Sequence, residues 1–412
     1  MKRSPLIVIF TTVFIDLVGF GIVIPVLPFY AEGTAFNATP RTVGLLFASY
    51  SVMQLIFSPI LGGLSDKHGR RPVLLLSIIG TGIGFLVLGL ATTVWMLFIG
   101  RILDGITGGN ISTAQAYIAD VTTEENRAKG MGLIGAAFGL GFIFGPAIGG
   151  ILSHWGIHVP FFFAAALCFA NAVLLFFTLP ETVTADHPAK HSAARGRSLS
   201  NVIASLKQPK LAFILVIYFL FIVAFSIMTT SFSLYTMFRF GYDAQHTGYL
   251  FAYVGLIAVI IQGGLIGRLV KRFGEIPLVI FGALCFAISL FAVPFVGPAA
   301  GGLGALLIGG GVFSMGNSLA TPALTSLASK SVGAAQQGVV LGVTQSTASL
   351  ARAVGPSLAA ILISSSVAHL GADGVRHYMS DQSLFVTFWT GSAIMLVASA
   401  LAFYYGTTDL QG

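Results

Sequence analysis

A chain of 412 residues that is 56% hydrophobic and only 8% charged, with a mean hydropathy of +0.91, departs from soluble domains, which hold about 45–50% apolar and about 25% charged residues. That composition excludes a water-soluble enzyme or binding module and requires a lipid bilayer as partner. The net charge of +7 therefore has to be explained within a membrane.

Apolar runs of more than about 18 residues, long enough to cross about 30 Å of hydrocarbon, recur along the chain. They lack the two-residue alternation of barrel strands, so helices are the spanning element. In chain order the predicted spans are Leu6–Tyr30, Thr42–Leu64, Pro72–Ala91, Val94–Ala119, Lys129–Ser153 and Val159–Leu179. A polar stretch, Pro180–Lys210, follows. Beyond it come Lys210–Phe238, Gly248–Val270, Ile276–Val296, Ala299–Ala328, Gln336–Val367 and Ser383–Tyr405. The first run has a basic start like a signal peptide, but it is too long for one, contains Asp16 and shows no convincing cleavage site, so it reads as a retained helix. Cys168 and Cys285 each sit alone in an apolar run and read as small core hydrophobes.

The prediction is thus an all-α membrane protein of twelve transmembrane helices: an N-terminal six-helix bundle over 1–180, a cytoplasmic linker over 181–209 and a C-terminal six-helix bundle over 210–412. A short amphipathic helix is expected in the linker near Leu199–Leu206. The halves echo one another, since "GPAIGGIL" at Gly145–Leu152 returns as "GPSLAAIL" at Gly355–Leu362, each in the fifth span of its half. Duplicated six-span halves are how alternating-access carriers are built, with the substrate site between them.

Counting loops alternately, sixteen Lys and Arg residues fall on the side of the termini and three, Arg41, Arg239 and Arg376, on the other, leaving Arg101 and Arg352 inside spans. By the positive-inside rule both termini are cytoplasmic. Because the charges are spread over every loop of that side, they do not form a nucleic-acid-binding face.

Three stretches carry more information than hydropathy. "GGLSDKHGRRP" places Gly62, Asp66, Gly69, Arg70 and Arg71 in and before the turn between the second and third spans. "GRILDGITGGN" sets Arg101, Asp104 and Asn110 in the fourth span, which ends near Asp120 of "YIADVT". "GLIGAAFGLGFIFGPAIGG" spaces Gly141, Gly145, Pro146 and Gly149 so that helix backbones approach closely. Together these resemble the signatures of the major facilitator superfamily, and the first span, "FIDLVGFGIVIPVLP", with Gln54, is most similar to its twelve-span drug:proton antiporters, the tetracycline-exporter-like branch. The acid which that branch carries on its third span is missing, with Gly84 near its place, and Ala258 stands for the histidine of the eighth, which sets tetracycline itself apart as a substrate.

The resemblance implies a proton-coupled exporter working by alternating access. It also implies a conformational latch in which Asp66 caps the eleventh helix near Gln336–Gly338 and Arg70 or Arg71 pairs with Asp120. The Gly141, Gly145, Pro146 and Gly149 motif implies export by antiport. An exporter of a lipid, sugar or other metabolite is the alternative on the same fold.

Charges inside spans are costly and are retained where they face a cavity or a partner. Asp16, Arg101 and Asp104 are accordingly the expected proton-coupling residues, although Asp104 could simply neutralise Arg101 three residues before it. Arg352 either bonds carbonyls near Gly355 and Pro356 or faces the cavity. With Arg352, the polar span residues Gln54, Asn110, Gln115, Asn317 and Gln345 are the candidate substrate contacts for an amphiphilic small molecule. No nucleophile–base set, P-loop or H-E-x-x-H motif occurs, so no enzyme, cofactor or metal is expected, and the chain is read as a monomer in a bacterial plasma membrane.

Overall fold

A computed structural model of the chain describes residues 5–33, 36–182, 208–332, 337–364, 369–370 and 376–408. Its helices are α1 (Pro5–Glu32), α2 (Pro40–His68), α3 (Arg70–Gly89), α4 (Val94–Thr107), α5 (Asn110–Val121), α6 (Glu124–Ser153) and α7 (Val159–Thr178). After 207 come α8 (Pro209–Phe240), α9 (Ala244–Ile260), a π turn (Ile261–Leu265), α10 (Ile266–Phe273), α11 (Glu275–Ala292), α12 (Gly302–Lys330), α13 (Gln337–Ile363) and α14 (Asp381–Thr407). Two-residue strands, β1 (His369–Leu370) and β2 (Arg376–His377), pair antiparallel before α14. The expected helix near Leu199–Leu206 lies outside the described residues.

Eleven segments among the described residues are long and apolar enough to cross a bilayer on their own. The twelfth crossing is the fourth, where one continuous helix was expected and two are found. Gly108 and Gly109 break it, and both are pressed against α2: a methyl group at Gly109 would lie 2.9 Å from the Ser58 Cα and one at Gly108 would lie 3.0 Å from the Tyr50 hydroxyl. A break inside lipid frees backbone carbonyls that need a donor. Gln54 supplies one, its Nε2 donating to the Gly108 carbonyl at 2.9 Å.

Glycine contacts fix how the helices stack. A Cβ at Gly145 would meet the Gly21 Cα at 2.6 Å and one at Gly141 the Leu17 Cβ at 2.5 Å, so α6 lies directly on α1. Away from the chain termini the two sides of the molecule meet: Gly150 of α6 abuts Gly248 of α9, and Gly44 of α2 abuts Ala360 of α13. The Ser233 hydroxyl of α8 donates to the Ile24 carbonyl of α1 at 3.4 Å. The side opposite the termini is therefore closed by backbone-to-backbone packing.

Candidate functional site: a central cavity with buried charges behind its wall

Between α1–α7 and α8–α14 lies a cavity of about 630 Å³. It runs from Phe142, Phe225 and Phe313 in the middle of the molecule to Ser329 and Lys330 at the end of α12, where the Lys330 side chain is 64% exposed. Hence it opens on the side of the chain termini. Its inner end is aromatic: Phe142 meets Phe225 edge-on at 5.7 Å, and Phe225 stacks on Phe313 at 6.1 Å.

Of the expected substrate contacts, Gln115, Asn317, Gln345 and Arg352 line this cavity. Gln54 and Asn110 do not. Gln54 is buried and spends its amide on the Tyr50 hydroxyl and the Gly108 carbonyl, so its work is to hold the broken fourth crossing together. Asn110, also buried, opens α5 and donates to the Asp16 Oδ1 at 3.4 Å. Sequence could not separate these two from the rest, because polarity within a span marks a needed partner whether that partner is cargo or backbone.

Asp16 is 8% exposed, held between α1 and α5 and away from the lipid face. Arg101 and Asp104, both buried on α4, form an ion pair at 2.7 Å, and the Arg101 guanidinium lies 4.3 Å over the Tyr50 ring. Gly84 of α3 packs so tightly here that a Cβ would lie 3.1 Å from the Asp104 amide nitrogen. A side chain at that point of α3 would crowd the α4 backbone, and Asp104 is the acid that α4 places there. Tyr50 sits within electrostatic reach of Asp16, Asp104, Arg101 and Arg352, and its ring meets Phe20, which in turn meets Phe142 of the cavity at 5.7 Å. A path of touching side chains thus joins the cavity to the buried acids.

At the start of α3 the expected charge cluster is assembled. Arg70, not Arg71, reaches Asp120, its Nε donating to Oδ2 at 2.9 Å, while Nη1 bonds the Ser65 hydroxyl at 2.7 Å and Asp66. Arg71 turns to the Phe176 carbonyl and its ring. Gly62 packs on Ser112, and Gly69 adopts φ +98°, a conformation that favours glycine. The partner expected for Asp66 at Gln336–Gly338 has side chains, and in part a backbone, outside the described residues.

One residue of this cluster was not anticipated. Glu181 accepts from the backbone N–H groups of Arg70 at 2.9 Å and Arg71 at 3.0 Å, occupying the free amides at the start of α3. The predicted linker begins at this residue, and an acid immediately after the span-ending Leu179 and Pro180 is the available signal. Among the described residues no group of three or more His, Cys, Asp or Glu converges as a metal site would require.

The family model for the Major Facilitator Superfamily matches residues 9–356. The chain is 33% identical to the tetracycline resistance protein, class H, of Pasteurella multocida, covering 90% of this chain and 91% of that one. It is 33% identical to multidrug resistance protein 2 of Bacillus subtilis, over 88% and 89% of the two chains. Among solved structures, the human organic anion transporter MFSD10 superposes with a TM-score of 0.70 at 25% identity, over 97% of this chain and 99% of that one.

Proposed function

The chain belongs to the major facilitator superfamily, and on that premise we propose that it exports amphiphilic drugs from the cytoplasm in exchange for protons, its halves 1–180 and 210–412 rocking about the central cavity. The names of its relatives, tetracycline and multidrug resistance proteins, support a drug as cargo. The excess of Lys and Arg on the terminal side supports cytoplasmic termini in a bacterial plasma membrane, with the cavity open to the cytoplasm.

The observation that carries the proton-coupled reading is Asp16: a carboxylate in mid-span, buried, bonded by one neutral amide and by no cation among the described residues. A carboxylate so placed gains little from ionisation, and a proton neutralises it without breaking an ion pair. Asp104 differs, since Arg101 already balances it. Cargo pressing on Phe142 moves Phe20 and Tyr50, and with them the surroundings of Asp16. One proton entering down 100 mV releases about 2.3 kcal/mol, which sustains about a fiftyfold gradient of a neutral substrate.

The test is Asp16→Asn in proteoliposomes. Uphill export driven by a pH gradient is expected to vanish, while downhill exchange of the same drug persists and shows that the variant is folded. Uphill export at the wild-type rate overturns the role of Asp16.

A further inference from the structure

The charges that line the cavity are of one sign. Its described walls carry Arg352 and Lys330, and no carboxylate. Lys330 stands at the mouth and is bound by Glu275. The acids of the spans lie behind the wall: Asp104 is held by Arg101, and Asp16 is shielded next to Asn110. A lipophilic cation entering here therefore finds aromatic faces but no counter-ion, and it is repelled by Arg352.

Arg352 is furnished in the opposite way. It projects from α13 across the cavity, its guanidinium 5.6 Å above the ring of Phe138 on α6. Of its five N–H donors, one is given to the Ser349 hydroxyl at 3.2 Å, and no carboxylate lies within ion-pair distance among the described residues. Gln345, on the same face of α13 two turns earlier, and Tyr218 of α8 line the same part of the wall. A guanidinium with spare coplanar donors matches a carboxylate or sulfonate in a two-point fork. The aromatic inner end formed by Phe142, Phe225 and Phe313 matches a flat apolar body.

We infer that this cavity is built for aromatic amphiphiles carrying an anionic group, zwitterions included, whose acid docks on Arg352 while the ring system lies against Phe142, Phe225 and Phe313. The inference rests on the exporter reading and names the charge of its cargo.

Three probes with one ring system and different ends test it: 4-(1-pyrenyl)butanoate, the corresponding pyrenyl alcohol and the corresponding pyrenyl trimethylammonium. Binding to the purified full chain is read by pyrene fluorescence, and export by proton-driven movement in proteoliposomes. The wild-type protein is expected to bind the butanoate about tenfold or more tightly than the alcohol, the scale of a charge-assisted pair, and to bind the ammonium most weakly. Arg352→Gln should erase the preference for the butanoate over the alcohol, and Arg352→Lys, which keeps the charge without the fork, should restore part of it. Equal weakening of alcohol and butanoate in Arg352→Gln overturns the docking role, since a structural residue behaves that way. Export of the ammonium or the alcohol but not the butanoate overturns the anion site and leaves the exporter standing. If none of the three moves with the proton gradient, both readings fall.

Discussion

The two halves of the molecule solve the same packing problem with the same parts and then diverge in charge. Tyr30, near the end of the first crossing, donates to the carbonyls of Leu88 and Ala91, 58 and 61 residues on. Tyr235, near the end of the seventh, donates to those of Val293 and Val296, again 58 and 61 residues on. Gly84 and Gly100 interlock α3 with α4 as Gly282 and Gly316 interlock α11 with α12, and Gly145 meets α1 as Gly355 meets α8. Even the turns agree, Gly69 and Gly274 having φ of +98° and +80°. Yet at those turns the ion pairs are inverted. In the first half the base comes after the glycine and the acid at the end of the fourth crossing, Arg70 to Asp120; in the second the acid comes after the glycine and the base at the end of the tenth, Glu275 to Lys330. Duplication preserves the geometry of a tie between helices, while its sign is free to change. Burial is what differs: Arg70 is 1% exposed and Lys330 64%.

That contrast is broken or sharpened first at Arg70. Arg70→Ala leaves Asp66 and Asp120 in a mostly buried setting without their shared cation, and the loss is expected to be about 3–5 kcal/mol, the usual penalty for removing one partner of a buried pair. Denaturant unfolding in detergent micelles measures it; a loss within error of a surface substitution would make the two turns equivalent after all. Next in size are the tyrosines. Tyr30→Phe and Tyr235→Phe each remove one hydroxyl donor, at about 0.5–1.5 kcal/mol apiece, and the double variant should cost the sum to within about 0.5 kcal/mol because the two hydroxyls share no hydrogen-bond partner. A cost confined to one of them would show that the matching separations do not carry matching energies.

Much of this was legible in the chain. Hydropathy alone placed the crossings, since each needs a run of apolar residues whatever its neighbours, and the repeated "GPAIGG" and "GPSLAA" announced the duplication. The break of the fourth crossing was not legible, because Gly108 and Gly109 look the same in a continuous helix as in a bent one; what decides is Ser58 and Tyr50 pressing on them from α2. The tyrosine ties were hidden for a similar reason: a Tyr at a span end reads as an interfacial anchor until its acceptors are known. At the site, Asp16 and Arg352 stood out because a charge in a span is expensive. Which of the polar residues face the cavity did not, since Gln54 and Gln115 have the same chemistry and differ only in whether a carbonyl from a broken helix lies within reach.

The remaining tests sharpen the divergence between the halves at smaller scale. Lys330→Ala removes an exposed partner, and Glu275 keeps the Ser326 hydroxyl at 3.0 Å, so the expected loss is below about 1 kcal/mol and fades with added salt. A loss as large as that of Arg70→Ala, insensitive to salt, would contradict the assignment of the difference to burial.

The smallest effect concerns the caps of the second helix in each half. Thr39 caps α2 with a neutral hydroxyl, accepting from the Thr42 amide at 3.3 Å, whereas Asp243 caps α9 with a carboxylate, accepting from the His246 amide at 2.8 Å and its ring at 2.7 Å. Partial burial pushes the Asp243 carboxyl up, but the bonds from His246 outweigh it, and the group titrates below the ordinary value of 3.8. A carboxylate depressed by folding contributes stability that is complete above its unfolded pKa and is lost as the pH falls through the lower folded one. Asp243→Ala should therefore cost more at pH 7 than at pH 3, by about 0.3 kcal/mol or somewhat more, the low end for a charge at a helix N-terminus. Thr39→Ala should cost the same at both. Unfolding of the two variants at the two pH values checks this: a parallel response would mean that the hydrogen bond alone, and not its charge, sets the worth of either cap.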